Sequence, residues 1–131
     1  MVIDTSALLA IELHEPERRA IGRAIEMAAK RSMSAASAVE FIAVHAGRAP
    51  ALDAVAVFDR LTSLFEIQIV PVDEAHWREA ASALLRYGKG RHPARLNLGD
   101  SFAYSLAKVS NEPLLFKGRD FSQTDIAVAA Y

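Results

Sequence analysis

A chain of 131 residues, 52% hydrophobic and 24% charged, carries enough apolar side chains for one packed core and too many for a disordered segment. It has no cysteine, which excludes a disulfide framework, a thiolate metal site and a cysteine nucleophile. With 15 Lys and Arg against 16 Asp and Glu, the formal charge of −1 lacks the basic excess that usually marks a nucleic-acid binder.

Met1–Ile3 is a short apolar run closed by Asp4-Thr5-Ser6, which predicts a buried strand, a polar turn and a helix start at Ala7-Leu8-Leu9. Glu17 to Lys30 carries Ile21, Ala24, Ile25 and Ala28 on one helical stripe. Arg31–Ser34 is expected to be extended. Ser37 then opens an apolar helix through Phe41, Ile42 and Val44, with Gly47 as its stop. Leu52–Phe65 is another amphipathic helix. The β-branched run Ile67, Ile69, Val70 and Val72, broken by Pro71, predicts an edge strand.

Asp73-Glu74 starts a helix that reaches Gly88, a loop follows to Leu96, and Leu98–Ser110 is helical. Leu114–Phe116 is a strand, Lys117–Asp120 a turn, and Ile126–Ala130 a last strand. Strands alternating with helices over short connections predict a single α/β domain across residues 1–131, with a mostly parallel sheet and helices on both faces. There is no basic leader before the early Asp4 and no apolar run near the roughly 20 residues that span a bilayer. The expected setting is soluble and cytoplasmic.

In such sheets ligands gather at the carboxyl ends of the strands, where helix N-termini also lie. Asp4, Glu40, Asp100 and Asp120 are placed to meet at that edge. Each has an ordinary structural reading beside the functional one. Asp4 can simply cap a helix, Ser37-x-x-Glu40 has the form of a capping box, Asp100 suits a helix dipole, and Asp120 suits a turn. Together, carboxylates in close pairs repel by roughly 4 kcal/mol per pair at an effective dielectric near 20, so such a cluster calls for raised pKa values or a cation. An all-oxygen donor set without cysteine or paired histidines suits Mg2+ or Mn2+ rather than zinc. A divalent ion of that kind that keeps its waters suits phosphodiester hydrolysis.

Four stretches carry a resemblance. Met1-Val2-Ile3-Asp4-Thr5-Ser6-Ala7 resembles the opening strand of PIN domains. Tyr87-Gly88-Lys89-Gly90-Arg91-His92, Leu96-Asn97-Leu98-Gly99-Asp100-Ser101-Phe102 and Leu114-Leu115-Phe116-Lys117-Gly118-Arg119-Asp120-Phe121 look like VapC toxins, the PIN-domain ribonucleases of type II toxin–antitoxin modules. The resemblance implies a three-layer α/β/α fold and a metal-dependent endoribonuclease held inactive by a VapB-type antitoxin. It implies Asp4 and Asp100 as principal metal ligands, Glu40 as the second acid and Asp120 as the fourth, with Asp125 competing for that last role. Ser6 and Ser101 match the hydroxyls that accompany the acids. Such toxins usually form homodimers.

Arg86, Lys89, Arg91, His92 and Arg95 concentrate positive charge before Asp100. They form either a solvated loop or an RNA phosphate grip, with Tyr87 offering a stacking face. His45 is expected to be packed, and Trp77 and the Phe58, Leu61, Phe65 set to be core or interface. Competing functions are weaker. An aspartyl-nucleophile phosphohydrolase would want a second acid where Ser6 stands, and a phospho-accepting receiver wants an acidic pair and a lysine that are hard to place. A non-catalytic interaction module with a degenerate site is the alternative of a different class.

Overall fold

The first two strands are very short and run straight into helix caps, Asp4 after Val2–Ile3 and Ser34 at the end of Ser32–Ser34. A computed structural model describes all residues, Met1–Tyr131. Strand β1 (Val2–Ile3) leads through Asp4 into α1 (Thr5–Glu12), and α2 (Arg18–Met27) returns the chain to β2 (Ser32–Ser34). Helices α3 (Ala35–Arg48) and α4 (Ala54–Leu64) lead to β3 (Gln68–Val70), and α5 (Glu74–Tyr87) and α6 (Leu98–Ser110) lead to β4 (Leu114–Leu115).

The four strands lie in the order β3-β2-β1-β4, and every pairing is parallel. Val2 faces both Ser32 and Leu114, and Ile3 faces Leu115. The period-2 alternation of strand side chains then builds two cores. Met1, Ile3, Met33 and Leu115 pack with Leu8, Ile21, Ile25, Phe41, Phe58 and Leu61 on one face. Val2, Leu114 and Phe116 pack with Tyr87, Leu96, Tyr104 and Leu106 on the other. The result is the expected three-layer α/β/α arrangement, with β3 as an edge strand.

Several local expectations are corrected. Helix α3 begins at Ala35 rather than Ser37, because Ser34 caps it by accepting from the Ala36 N–H at 3.3 Å. It continues past Gly47 to Arg48. Ile126–Ala130 makes no strand, only a bridge from Leu114 to Val128, since two-residue β4 offers little length to pair with. Phe58, Leu61 and Phe65 are core, but Trp77 is half exposed, with the Arg78 guanidinium 4.5 Å from its ring. His45 is fully buried and stacks on Phe41, as expected. No helix is long and apolar enough to cross a membrane.

Candidate metal and phosphodiester site

Parallel pairing of β1 with β2 brings the starts of α1 and α3 side by side at the carboxyl edge of the sheet. Asp4 is the N-cap of α1, and its Oδ2 accepts from the Ser6 backbone N–H at 2.9 Å and from Ser6 Oγ at 2.5 Å. Ser6 Oγ in turn accepts from the Lys117 N–H at 2.9 Å, which ties this corner to the segment after β4. Asp4 Oδ1 is buried without any hydrogen-bond partner.

Glu40 lies in the second turn of α3, so it is not half of a capping box with Ser37. Thr5 Oγ1 donates to Glu40 Oε2 at 2.6 Å and stands 3.1 Å from the Ser37 carbonyl. The opposite side of the Glu40 carboxylate rests against Gly99 of α6. Asp100 is the third residue of α6 and forms a reciprocal capping box with Asn97. The Asp100 N–H donates to Asn97 Oδ1 at 3.0 Å, and the Asn97 N–H donates to Asp100 Oδ2 at 2.7 Å.

The three inner acids therefore share one design, with one oxygen held by a donor, local for Asp4 and Asp100 and 35 residues distant for Glu40, and the other left uncommitted. Burial raises the Asp4 carboxyl to about 6, helped by the charge of Glu40 and opposed by the Ser6 bonds. Burial raises Asp100 to about 7, against the Asn97 bond and with the charges of Asp4, Glu40 and Asp120 adding to it. Asp120 is exposed on the turn after β4, near enough for its charge to be felt at Asp100. No three of these acids converge tightly enough to enclose an ion in this conformation, since local donors hold their side chains.

The donor set still fits a hard divalent cation. It offers a buried, unpartnered carboxylate oxygen at Asp4, two strongly raised carboxyls and no soft ligand.

Asp125 belongs elsewhere. Its Oδ1 accepts from Tyr104 Oη at 2.6 Å, and its Oδ2 from Lys108 Nζ at 2.9 Å, in the second half of α6. These bonds lower its carboxyl to about 2, and it does not figure among the charges felt at Asp100. Ser101 is fully buried, and its Oγ donates to the Leu98 carbonyl at 2.7 Å rather than to an acid.

The cationic loop is tightly built. The Leu96 N–H donates to the Tyr87 carbonyl at 3.0 Å, the Lys89 N–H to the Leu96 carbonyl at 3.2 Å, and the Ala94 N–H to His92 Nδ1 at 3.1 Å. Gly90 and Arg95 adopt positive φ, 83° and 54°. Lys89, Arg91 and Arg95 are exposed, and with His92 they line a depression of about 420 Å3. Tyr87 is not available for stacking on RNA: it is buried, with its ring centroid 5.8 Å from that of Tyr104 and 5.0 Å from the His92 ring. Arg86 is occupied by Tyr87, over whose ring it lies, and by Asp125 at 3.4 Å.

Thr5, Asn97 and Gly99 were not singled out by the sequence reading. Asn97-x-x-Asp100 has the spacing of a reciprocal cap, and a glycine at a helix start is itself a signal that something approaches closely. The contact of Thr5 with Glu40 spans 35 residues and leaves no local trace.

Comparison with known proteins agrees with this architecture. The PIN domain family model matches residues 1–127. Ribonuclease VapC42 of Mycobacterium tuberculosis is 44% identical over 131 residues, covering 98% of each chain. Ribonuclease VapC30 of the same species is 43% identical over 130 residues, covering 99% of this chain and 98% of the relative. The chain belongs to the PIN-domain family, in its VapC branch. Among solved structures, the Mycobacterium tuberculosis toxin VapC20, which cleaves the sarcin–ricin loop, superposes with a TM-score of 0.76 at 15% identity over 99% of this chain and 98% of its own. A toxin–antitoxin complex from Klebsiella pneumoniae gives 0.70 at 17% identity over 99% and 97%. At those identities the likeness is one of PIN fold.

Asp4 and Asp100 bind protons more tightly in this PIN fold than carboxyls with the ordinary value of 3.8 in an unfolded chain. Their contribution to stability is therefore present at low pH and is lost as pH rises from about 4 through 6 to 7. Thermal melts of chelator-treated protein are expected to show Asp4→Asn, which keeps a capping oxygen, melting roughly 2–8 °C above wild type at pH 7.5 and close to it at pH 4. Excess Mn2+ should close the gap. A difference that is the same at both pH values would contradict the electrostatic account.

Proposed function

We propose that this VapC-branch PIN protein is a Mg2+- or Mn2+-dependent endoribonuclease, the toxin of a type II toxin–antitoxin module acting in the cytoplasm. One observation carries the reading: the buried, unpartnered Oδ1 of Asp4 in a group of acids where the carboxyls of Asp4 and Asp100 are raised. The ribonuclease names of relatives at 43–44% identity over nearly the whole chain support it.

Asp4 and Asp100 would hold the ion, with Glu40 and Asp120 as secondary ligands. When bound, a divalent ion acidifies a water and offsets charge developing on the phosphate. Ser6 holds Asp4 by donating to Oδ2, which leaves Oδ1 free of any hydrogen-bond partner. Asn97 does the same for Asp100, and Thr5 for Glu40. These bonds set carboxylate orientation before RNA arrives, which is the part of catalysis that a fold can prepare in advance. Lys89, Arg91 and Arg95 grip RNA phosphates just before α6.

A VapB-type antitoxin and a second copy of the chain are the proposed protein partners. Apolar side chains left exposed on α4 (Val55, Leu64) and α5 (Trp77, Leu85) supply surface for both.

Asp4→Asn and Asp100→Asn are expected to reduce RNA cleavage to background while far-UV circular dichroism stays unchanged. Asp125→Asn should cleave at the wild-type rate. Unchanged cleavage by either of the first two would sink the assignment, and calorimetry showing no Mn2+ binding to wild type would favour a non-catalytic module. Neutralising Arg91 and Arg95 together should weaken RNA binding and lower the slope of log affinity against log salt by about 1–2; an unchanged slope would make the loop a solvated surface. Light scattering should give a dimer mass for the chain alone, and a monomer at micromolar concentration would remove that partner.

A further inference from the structure

Gly99 occupies the first turn of α6 with ordinary helical backbone, so no left-handed φ requires a glycine there. A helix interior disfavours glycine by up to about 1 kcal/mol relative to alanine, which leaves the residue to be explained by its surroundings. Gly22 and Gly47, also helical, have open space where a side chain would begin. Gly99 does not. A Cβ there would lie 2.0 Å from Glu40 Oε1, 2.4 Å from its Cδ and 2.6 Å from its Oε2. The space that any other residue would fill is taken by the Glu40 carboxylate.

We propose that Gly99 is a positioning residue: its missing side chain lets the Glu40 carboxylate lie against α6, one residue from Asp100, with Thr5 holding it from the other side. The bond from Thr5 Oγ1 to Oε2 fixes one oxygen, and the bare Cα of Gly99 sets how closely the whole group approaches the helix that carries Asp100. Glu40 reaches this spot from α3, so Gly99 and Thr5 together act as a gauge between three helices.

The obstructed atoms are the tip of a flexible side chain. An added methyl therefore need not disturb the fold; it moves Glu40 out of its place and breaks its pairing with Thr5. This separates the inference from a packing role. A glycine needed for packing would lose stability when replaced, whereas here the helix gains a better helix former and only the site suffers.

The inference rests on Glu40 being part of the metal-holding cluster, and the test keeps the two apart. Mn2+ affinity is measured by calorimetry, beside melting temperature, for wild type, Gly99→Ala, Glu40→Asp, the double variant and Glu40→Gln. Gly99→Ala should weaken Mn2+ binding by about 10–100-fold, as loss of an orienting contact does, while melting at or above the wild-type temperature. Glu40→Asp withdraws the carboxylate by one carbon–carbon bond, roughly 1.5 Å, so it makes room for the methyl. In that background Gly99→Ala should cost almost nothing further.

Equal losses from Gly99→Ala in both backgrounds would overturn the proposal. So would wild-type Mn2+ affinity in Gly99→Ala when Glu40→Gln binds poorly, and that pattern would leave the site reading standing. Wild-type affinity in Glu40→Gln would overturn the role of Glu40 and this inference with it.

Discussion

Burial of carboxylates side by side at the carboxyl edge of the sheet is the constraint around which the rest of the molecule is arranged. Four acids from four separate segments gather there; burial lifts Asp4 to about 6 and Asp100 to about 7, with the charge of Glu40 adding at Asp4 and those of Asp4, Glu40 and Asp120 adding at Asp100. A chain free to relax would let them drift apart. The all-parallel pairing of β1 with both β2 and β4 prevents this, because it brings the strand ends that carry Asp4 and Asp120 to the same edge as the start of α3. The apolar cores on both faces of the sheet offset the cost, with Val2, Ile3, Leu114 and Leu115 fully buried.

Helix capping and the acid cluster are the same interactions seen from two sides. Asp4 satisfies the first turn of α1 with Oδ2 and leaves Oδ1 uncommitted. Asp100 closes a capping box with Oδ2 alone. A carboxylate has two oxygens, and a cap needs only one, so a helix N-terminus can be stabilised and leave a second oxygen unpartnered at once. The ordinary reading of Asp4 as a cap is therefore sound, Asp100 closes a capping box beyond suiting the helix dipole, and neither role competes with the functional one.

How much of this was legible depends on whether a feature was local. The strand–helix alternation, the start of α6 at Leu98 and the edge position of β3 follow from periodicity and turn residues within a few positions. The start of α3 was displaced by two residues because Ser34 and Ser37 are equally good caps on paper. Only the strand ending at Ser34 decides between them. Asp120 and Asp125 are five residues apart and chemically identical. What separates them is tertiary: Tyr104 and Lys108 reach Asp125 from α6, and nothing near it in sequence announces either contact. The burial of Tyr87 is illegible for the same reason, since it comes from packing against Tyr104 and the returning loop.

The near-neutral total charge takes on a different meaning once the charges have positions. Lys117, which follows β4 at the site edge, is turned onto Glu15 at 2.6 Å, Lys108 and Arg86 are drawn to Asp125, and Arg60 to Glu12. The cations nearest the fold are thus matched by anions outside the cluster, and none of them is bonded to Asp4, Glu40 or Asp100. Lys89, Arg91 and Arg95 have no such partner and are displayed on a hydrogen-bonded loop immediately before α6. A polyanion meeting this surface is attracted by the loop and repelled by the pocket beside it, unless a cation lies in the pocket. On the function proposed above, that opposition would make a divalent ion more than a reagent: it would be the condition under which the loop and the acids act on one phosphate chain together.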